Sequence, residues 1–155
     1  MAAGRHTYRA SVAWSDPAGT ARSSTHSRNH VIRIAGKPDL LASSDPNFRG
    51  DPARPNPEDL LVASLASCHM LWYLGLCARA GIAVTHYADE AEATMIEDAV
   101  KGGRFERVTL RPRVTIKAGD PDKARDLHHE AHRQCFIANS VNFPVDCEPT
   151  IALAE

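Results

Sequence analysis

The apolar run from Asn56 to about Arg79 constrains this chain more than any other stretch. Its start is chemically marked. Asn56 can cap a helix, Pro57 suits the first helical position where its missing N–H costs nothing, and Glu58 and Asp59 complement the positive end of the helix dipole. Gly81 supplies a stop. At about 1.5 Å per residue the helix is roughly 30 Å long or more, enough to cross a small domain. Nearly every residue in it is apolar or small, so burial on most sides is expected. Ser64, Ser67, Cys68 and His69 interrupt the run and two acids open it, which predicts a core helix and not a membrane span.

With 155 residues, the chain is expected to form a single domain, 1–155, with a core of its own. At 43% hydrophobic and 24% charged residues, the composition is that of a soluble globular protein. A formal net charge of -1 advertises neither nucleic acid nor an anionic membrane as a partner. Residues Met1 to Ala10 are polar and carry no signal-like apolar core, so a cytoplasmic location is expected. In that reducing setting Cys68, Cys77, Cys135 and Cys147 are free thiols unless they do redox work. None of them forms a Cys-x-x-Cys pair, which excludes a thioredoxin motif and a zinc ribbon.

Taken in order, His6 to Trp14 alternates and reads as a first strand, and Val31 to Ile34 forms the heart of a second that hairpins with it. Asp39 to Ala42 makes a short third strand, and Ser43 to Pro55 an ordered loop carrying Arg49 and Arg54. After the long helix, a strand from Ile82 to about Glu97 turns at Lys101-Gly102-Gly103 into a partner over Arg107 to Ile116. A second helix opens at Asp120 or Pro121 and runs to about Gln134. A short helix over 135–141 and a last strand over Phe143 to Ala152 complete the chain. That order predicts an α+β domain with mostly antiparallel sheet.

A buried cysteine is most often a small hydrophobe, so each thiol needs a reason to be more. At about 100° per residue Cys77 points away from Cys68, while Leu61, Leu65 and Trp72 lie on the Cys68 face. An apolar wall keeps a thiol protonated and inert, so a reactive Cys68 calls for a cation from outside the helix. Arg28, Arg49 and Arg54 are on offer, and Glu58 is suited to holding one of them; its bland role is a first-turn acid favouring the dipole. Cys135 stands at an element boundary, where unpaired backbone N–H groups would favour a thiolate. Cys147, between Asp146 and Glu148, reads as structural. His128, His132 and Cys135 share a helical face, but no fourth ligand is evident and no metal site is expected. His69 points about 100° away from Cys68 and is a poor base for it.

Two segments resemble the OsmC/Ohr family of thiol-dependent peroxidases. One is Asn56-Pro57-Glu58 followed by an apolar helix with Cys68; the other is Ala131-His132-Arg133-Gln134-Cys135 leading into Phe136-Ile137-Ala138-Asn139-Ser140. Ser27 to His30, Phe48 to Asp51 and Val108 to Pro112 support the likeness, which covers almost the whole chain and is closer to the OsmC-like branch. The resemblance implies two long central helices wrapped by antiparallel sheets in an intertwined homodimer, with active sites at the subunit interface. It implies Cys68 as peroxidatic thiol, Cys135 as resolving thiol, and Glu58 as the acid that anchors an essential arginine. Arg28 fits the Ser-Arg-Asn-His context and Arg49 the distance before Glu58, so both stand as candidates. Where relatives commonly carry proline after the second cysteine, this chain has Phe136.

The expected chemistry is reduction of organic hydroperoxides, with hydrogen peroxide as a further substrate, through a Cys68 sulfenic acid and a Cys68–Cys135 disulfide. An external dithiol of the lipoyl type would recycle it, and no metal or organic cofactor is required. Leu61, Leu65, Trp72 and Phe136 are the expected apolar lining for an alkyl chain. The alternative is a non-enzymatic thiol protein of the same fold that senses oxidation or binds a hydrophobic ligand.

Overall fold

The computed structural model describes residues 4–155, which divide into two compact units at the Leu60–Leu61 boundary. The first holds a small antiparallel sheet of β1 (Ser11–Ala13), β2 (His30–Arg33) and β3 (Leu40–Ala42), in the order β1-β2-β3. Val12 sits opposite Ile32, and Val31 opposite Leu41. The first strand is shorter than the alternation from His6 predicts. Pairing with β2 begins at Ser11, so Tyr8 has no ladder to join and is exposed.

The loop after β3 is tied by its own backbone. Ser43 is fully buried; its N–H donates to the Pro55 carbonyl (3.0 Å) and its Oγ accepts from the Asp51 N–H (3.0 Å). Gly50 makes the crossing possible, because a Cβ there would lie 1.6 Å from the Ser44 carbonyl oxygen. A 3-10 turn over Pro46–Phe48 ends on Arg49, the one non-glycine residue with positive φ (67°) among the described residues.

This loop delivers Asn56 to the start of α1 (Pro57–Arg79). Asn56 Oδ1 accepts from the Asp59 N–H (2.8 Å) and Asp59 Oδ2 accepts from the Asn56 N–H (3.1 Å), a reciprocal capping box. At the far end Gly81, at φ +72°, lets the Ile82 N–H reach the Cys77 carbonyl (2.9 Å) and the Gly81 N–H the Ala78 carbonyl (3.3 Å). That is a Schellman stop, and Ile82 packs in the same core cluster as Cys77. Both ends of the helix are therefore written in local chemistry. Its burial differs from expectation. Leu65, His69, Tyr73, Leu76 and Cys77 form one buried stripe, while Ala63, Ser67 and Leu71 face outward on the opposite side.

The second unit continues with β4 (Ala83–Asp89), β5 (Glu92–Ile96), β6 (Arg104–Leu110), β7 (Pro112–Ala118), α2 (Pro121–Gln134), β8 (Val145–Cys147) and β9 (Thr150–Leu153). Here the expected long strands each break in two. The halves sort into separate sheets, β4-β7-β9 and β5-β6-β8. The β4–β7 and β5–β6 pairs are antiparallel, but β8 and β9 run parallel to β6 and β7. The α2 crossover supplies the length that a parallel return needs. Pro112 and Pro149 stand at two of the breaks and have no N–H for a continuous ladder. Arg111 ties all three together: its backbone N–H donates to Asp89 Oδ1 (2.7 Å), and its guanidinium pairs with Glu92 (3.5 Å) and Glu148 (3.3 Å).

α2 is capped by Asp120, whose Oδ1 accepts from the Asp122 N–H (2.9 Å). Its Ala124, Leu127, His128 and Ala131 are buried at helical spacing. Of these, Ala124, Leu127 and Ala131 join Tyr73, Leu76, Cys77, Ile82, Val114 and Ile116 in one core cluster. A second cluster gathers Leu65, Val108 and Leu110 with Leu61, Ile137 and Phe143 around it.

Candidate active site

Cys68 lies one turn past Leu65 on α1, half-buried, and Cys135 is the C-terminal cap of α2. The second unit brings the two thiols together: Cys68 lies close enough to Cys135 to act on its ionisation, and both are free. The Cys135 sulfur also accepts the Ala138 N–H at 3.4 Å, a backbone donor of the type expected at this boundary. The helix expected over 135–141 is only a 3-10 turn, Ala138–Ser140. Its donors do not win. Cys135 is 1% exposed, and burial pushes its thiol up to about 11, with the Ala138 N–H pulling down and the neighbouring Cys68 pushing up. Cys135 is thus a protonated, sequestered thiol beside a more accessible one.

The Trp72 ring meets Phe136 edge to face, with centroids 5.4 Å apart and planes at 87°. Leu61 and Trp72 are half-buried and Phe136 is exposed, whereas Leu65 is fully buried in the core. Three of the four residues expected to line the site therefore present surface.

In the first unit, Arg28 and Arg49 converge. Arg28 donates to the His26 carbonyl and, at 2.6 Å, to the Ser23 carbonyl; Arg49 Nη1 donates to the same Ser23 oxygen at 3.0 Å. Arg28 also lines a cavity of about 400 Å³ with Trp14, His26 and His30. Glu58 is half-buried in the first turn of α1. Among the described residues it forms no ion pair with Arg28 or Arg49, and Arg54 pairs with Asp51 (3.4 Å).

A second polar group lies in the second unit, and its members did not stand out as a set. His69 Nε2 and His128 Nδ1 are 2.9 Å apart, and the Cys147 sulfur is 3.6 Å from the first and 3.9 Å from the second. Burial holds His69 down to about 4, with His132 adding to the effect, and His128 down to about 3, with His69 adding to it. Both imidazoles are neutral at physiological pH. Burial, then Asp89 and Glu148, push Cys147 up to about 12. The available signal was one polar residue in the buried stripe of each helix: His69 between Leu65 and Tyr73, and His128 between Ala124 and Ala131. His132 and Cys135, which share its helical face, do not join His128 in this group.

Residues 50–150 match the family model described as OsmC-like protein. The chain is similar to a solved OsmC-like protein of unknown function from Vibrio cholerae, at 32% identity and TM-score 0.85, over 94% of this chain and 100% of that one. It also resembles an organic hydroperoxide resistance protein from Legionella pneumophila (18% identity, TM-score 0.68, 97% and 99% of the two chains). A third similar structure, an organic hydroperoxide resistance protein from Elizabethkingia anophelis, shares 17% identity at TM-score 0.68, over 97% and 99%. No curated protein matches the sequence.

Proposed function

The chain belongs to the OsmC-like family, and on that premise we propose that it is a cysteine peroxidase acting on organic hydroperoxides. The proximity of Cys68 and Cys135, a more accessible thiol beside a buried one, is the observation that carries this reading. The Cys68 thiolate attacks the distal peroxide oxygen and the O–O bond breaks. The alkoxide takes up a proton and leaves as alcohol, and Cys68 becomes a sulfenic acid. The Cys135 sulfur then attacks Cys68; an S–S bond forms, and the hydroxyl leaves as water with the Cys135 proton. An external dithiol of the lipoyl type reduces the disulfide to two thiols and is itself oxidised to a disulfide.

Proximity of the thiols supports this assignment because a disulfide needs the two sulfurs to approach one another. The edge-to-face pair of Trp72 and Phe136, with Leu61, offers an apolar wall for the alkyl group, which favours bulky hydroperoxides over hydrogen peroxide. Arg28 or Arg49 is the proposed cation for the Cys68 thiolate, with Glu58 as its anchor. The outward stripe of Ala63, Ser67 and Leu71 on α1 is the proposed seat of a second copy in a homodimer, and the cytoplasm the proposed location.

The test is consumption of a bulky organic hydroperoxide and of hydrogen peroxide, driven in turn by a dithiol and a monothiol. Dithiol-driven turnover that favours the organic substrate, abolished in Cys68→Ser while circular dichroism stays native, is the expected result. A Cys68→Ser enzyme that turns over at the original rate sinks the proposal. Oxidation of Cys68 and Cys135 without recycling moves the assignment to a sensing or ligand-binding thiol protein.

A further inference from the structure

The structure assigns a metal-binding site to His69, His128 and Cys147, a group separate from the Cys68–Cys135 pair. Its ligand would be a borderline divalent ion of the zinc type.

Geometry makes the first argument. A tetrahedral ion with N ligands at about 2.0–2.1 Å and a thiolate at about 2.3 Å has ligand–ligand edges of roughly 3.3 Å between nitrogens and 3.6 Å from nitrogen to sulfur. The corresponding separations are 2.9 Å between the nitrogens, and 3.6 and 3.9 Å to the sulfur. The N–N edge must open by about 0.4 Å and the longer N–S edge close by about 0.3 Å. In the metal-free chain the N–N edge holds a proton: the rings are coplanar within 6° with centroids 5.2 Å apart, so an N–H of one points at the lone pair of the other. Metal binding moves this proton to another ring nitrogen and releases the Cys147 thiol proton. Both imidazoles are already neutral, the form a metal needs.

The surroundings supply the second argument. Buried polar atoms are nearly always hydrogen-bonded, and an exception calls for an explanation such as a bound ion or water. Among the described residues the exceptions are the Tyr73 and Tyr87 hydroxyls, Asp89 Oδ2 and His128 Nε2. The Tyr73 hydroxyl has only the neighbouring Cys77 thiol, a weak partner. They congregate: Tyr73 stacks on His128 at 3.8 Å and touches Tyr87 at 5.9 Å, and Asp89 is close enough to Cys147 to oppose its ionisation. An apolar core built only for packing would not concentrate its unpartnered polar atoms beside two imidazoles and a thiol.

Access supplies the third. A cavity of about 360 Å³ is lined by His128 and Cys147, with Arg125, His129, His132 and Asp146 around it. It gives an ion an entry path and leaves room for a fourth ligand from solvent, the arrangement of an open tetrahedral site.

The experiment is a Co²⁺ titration of the reduced, chelator-treated 155-residue chain, read by absorption, with Zn²⁺ as competitor. Visible d–d bands of tetrahedral intensity and a thiolate-to-cobalt charge-transfer band should saturate at one equivalent and collapse on adding Zn²⁺. Cys147→Ser should lose the charge-transfer band. The Cys68→Ser/Cys135→Ser variant should keep both features, which separates this site from the redox pair whatever the fate of the peroxidase proposal. Absence of tetrahedral bands in the unsubstituted chain overturns the assignment, as does a charge-transfer band that survives Cys147→Ser or disappears with Cys68 and Cys135.

Discussion

Mild acid should destabilise the metal-free protein through its buried imidazole pair. His69 and His128 are 1% and 2% exposed, and burial holds them near 4 and 3, whereas the unfolded chain titrates them near 6.5. The folded values are depressed, so between these limits the unfolded state binds more protons and stability rises with pH. The contribution is fully present above about pH 6.5 and drains away as pH falls toward the folded values. From about pH 7.5 to about pH 5, linkage at 1.36 kcal/mol per pKa unit gives a loss of about 2 kcal/mol per imidazole and about 4 kcal/mol for the pair. Against a total stability of about 5–15 kcal/mol, that loss is large. Urea unfolding at fixed protomer concentration, followed by far-UV circular dichroism across this range, measures it. His128→Asn keeps a polar group near the Nδ1 position and removes one titration, so it should halve the slope. Asp89, raised by its own burial, acts in the opposite direction, so it cannot imitate the effect. A midpoint that is flat across this range, or a His128→Asn slope equal to the original, refutes the reasoning.

Two further expectations concern single groups. Asn56→Ala removes the side-chain half of the capping box at the start of α1, the Asn56 Oδ1 that accepts from the Asp59 N–H, and should cost about 1 kcal/mol in urea unfolding, with no change in the slope of the transition. At about pH 8 the native protein should resist alkylation at Cys135, which is 1% exposed and held protonated up to about 11, and react there only when urea is added. Mass spectrometry of iodoacetamide-treated peptides reads this directly; rapid native labelling of Cys135 would contradict the burial argument.

What could be read from the chain tracks how local the determining interactions are. The bounds of α1 follow from contacts within a few residues, Asn56 with Asp59 and Gly81 with its preceding turn, and the sequence showed both. The same is true of Asp120 and α2. The breaks in the strands were not read, although Pro112 and Pro149 are visible, because a proline alone does not say whether a strand ends or bulges. That outcome depends on Arg111 meeting Glu92 and Glu148, which lie 19 and 37 residues away. The candidate redox pair follows from family likeness, and only the folded chain brings Cys68 and Cys135 near one another. His69 and His128 lie 59 residues apart, and His69 and Cys147 lie 78 apart, so no local pattern could join them. Cys147 in particular was judged on its acidic neighbours, Asp146 and Glu148, whereas its closest chemical company is imidazole.

Placing all the strand breaks at one level also isolates errors. In an unbroken ladder, a one-residue insertion turns every later side chain to the wrong face. Here β5-β6-β8 and β4-β7-β9 are separate ladders joined by short irregular segments, and an extra residue can be absorbed at Glu90-Ala91 or Glu148-Pro149. An insertion in one ladder therefore need not shift the register of the other. Each ladder is phased by its own cluster: Val114 and Ile116 of β7 pack with α1 and α2, and Val108 and Leu110 of β6 pack with Leu65.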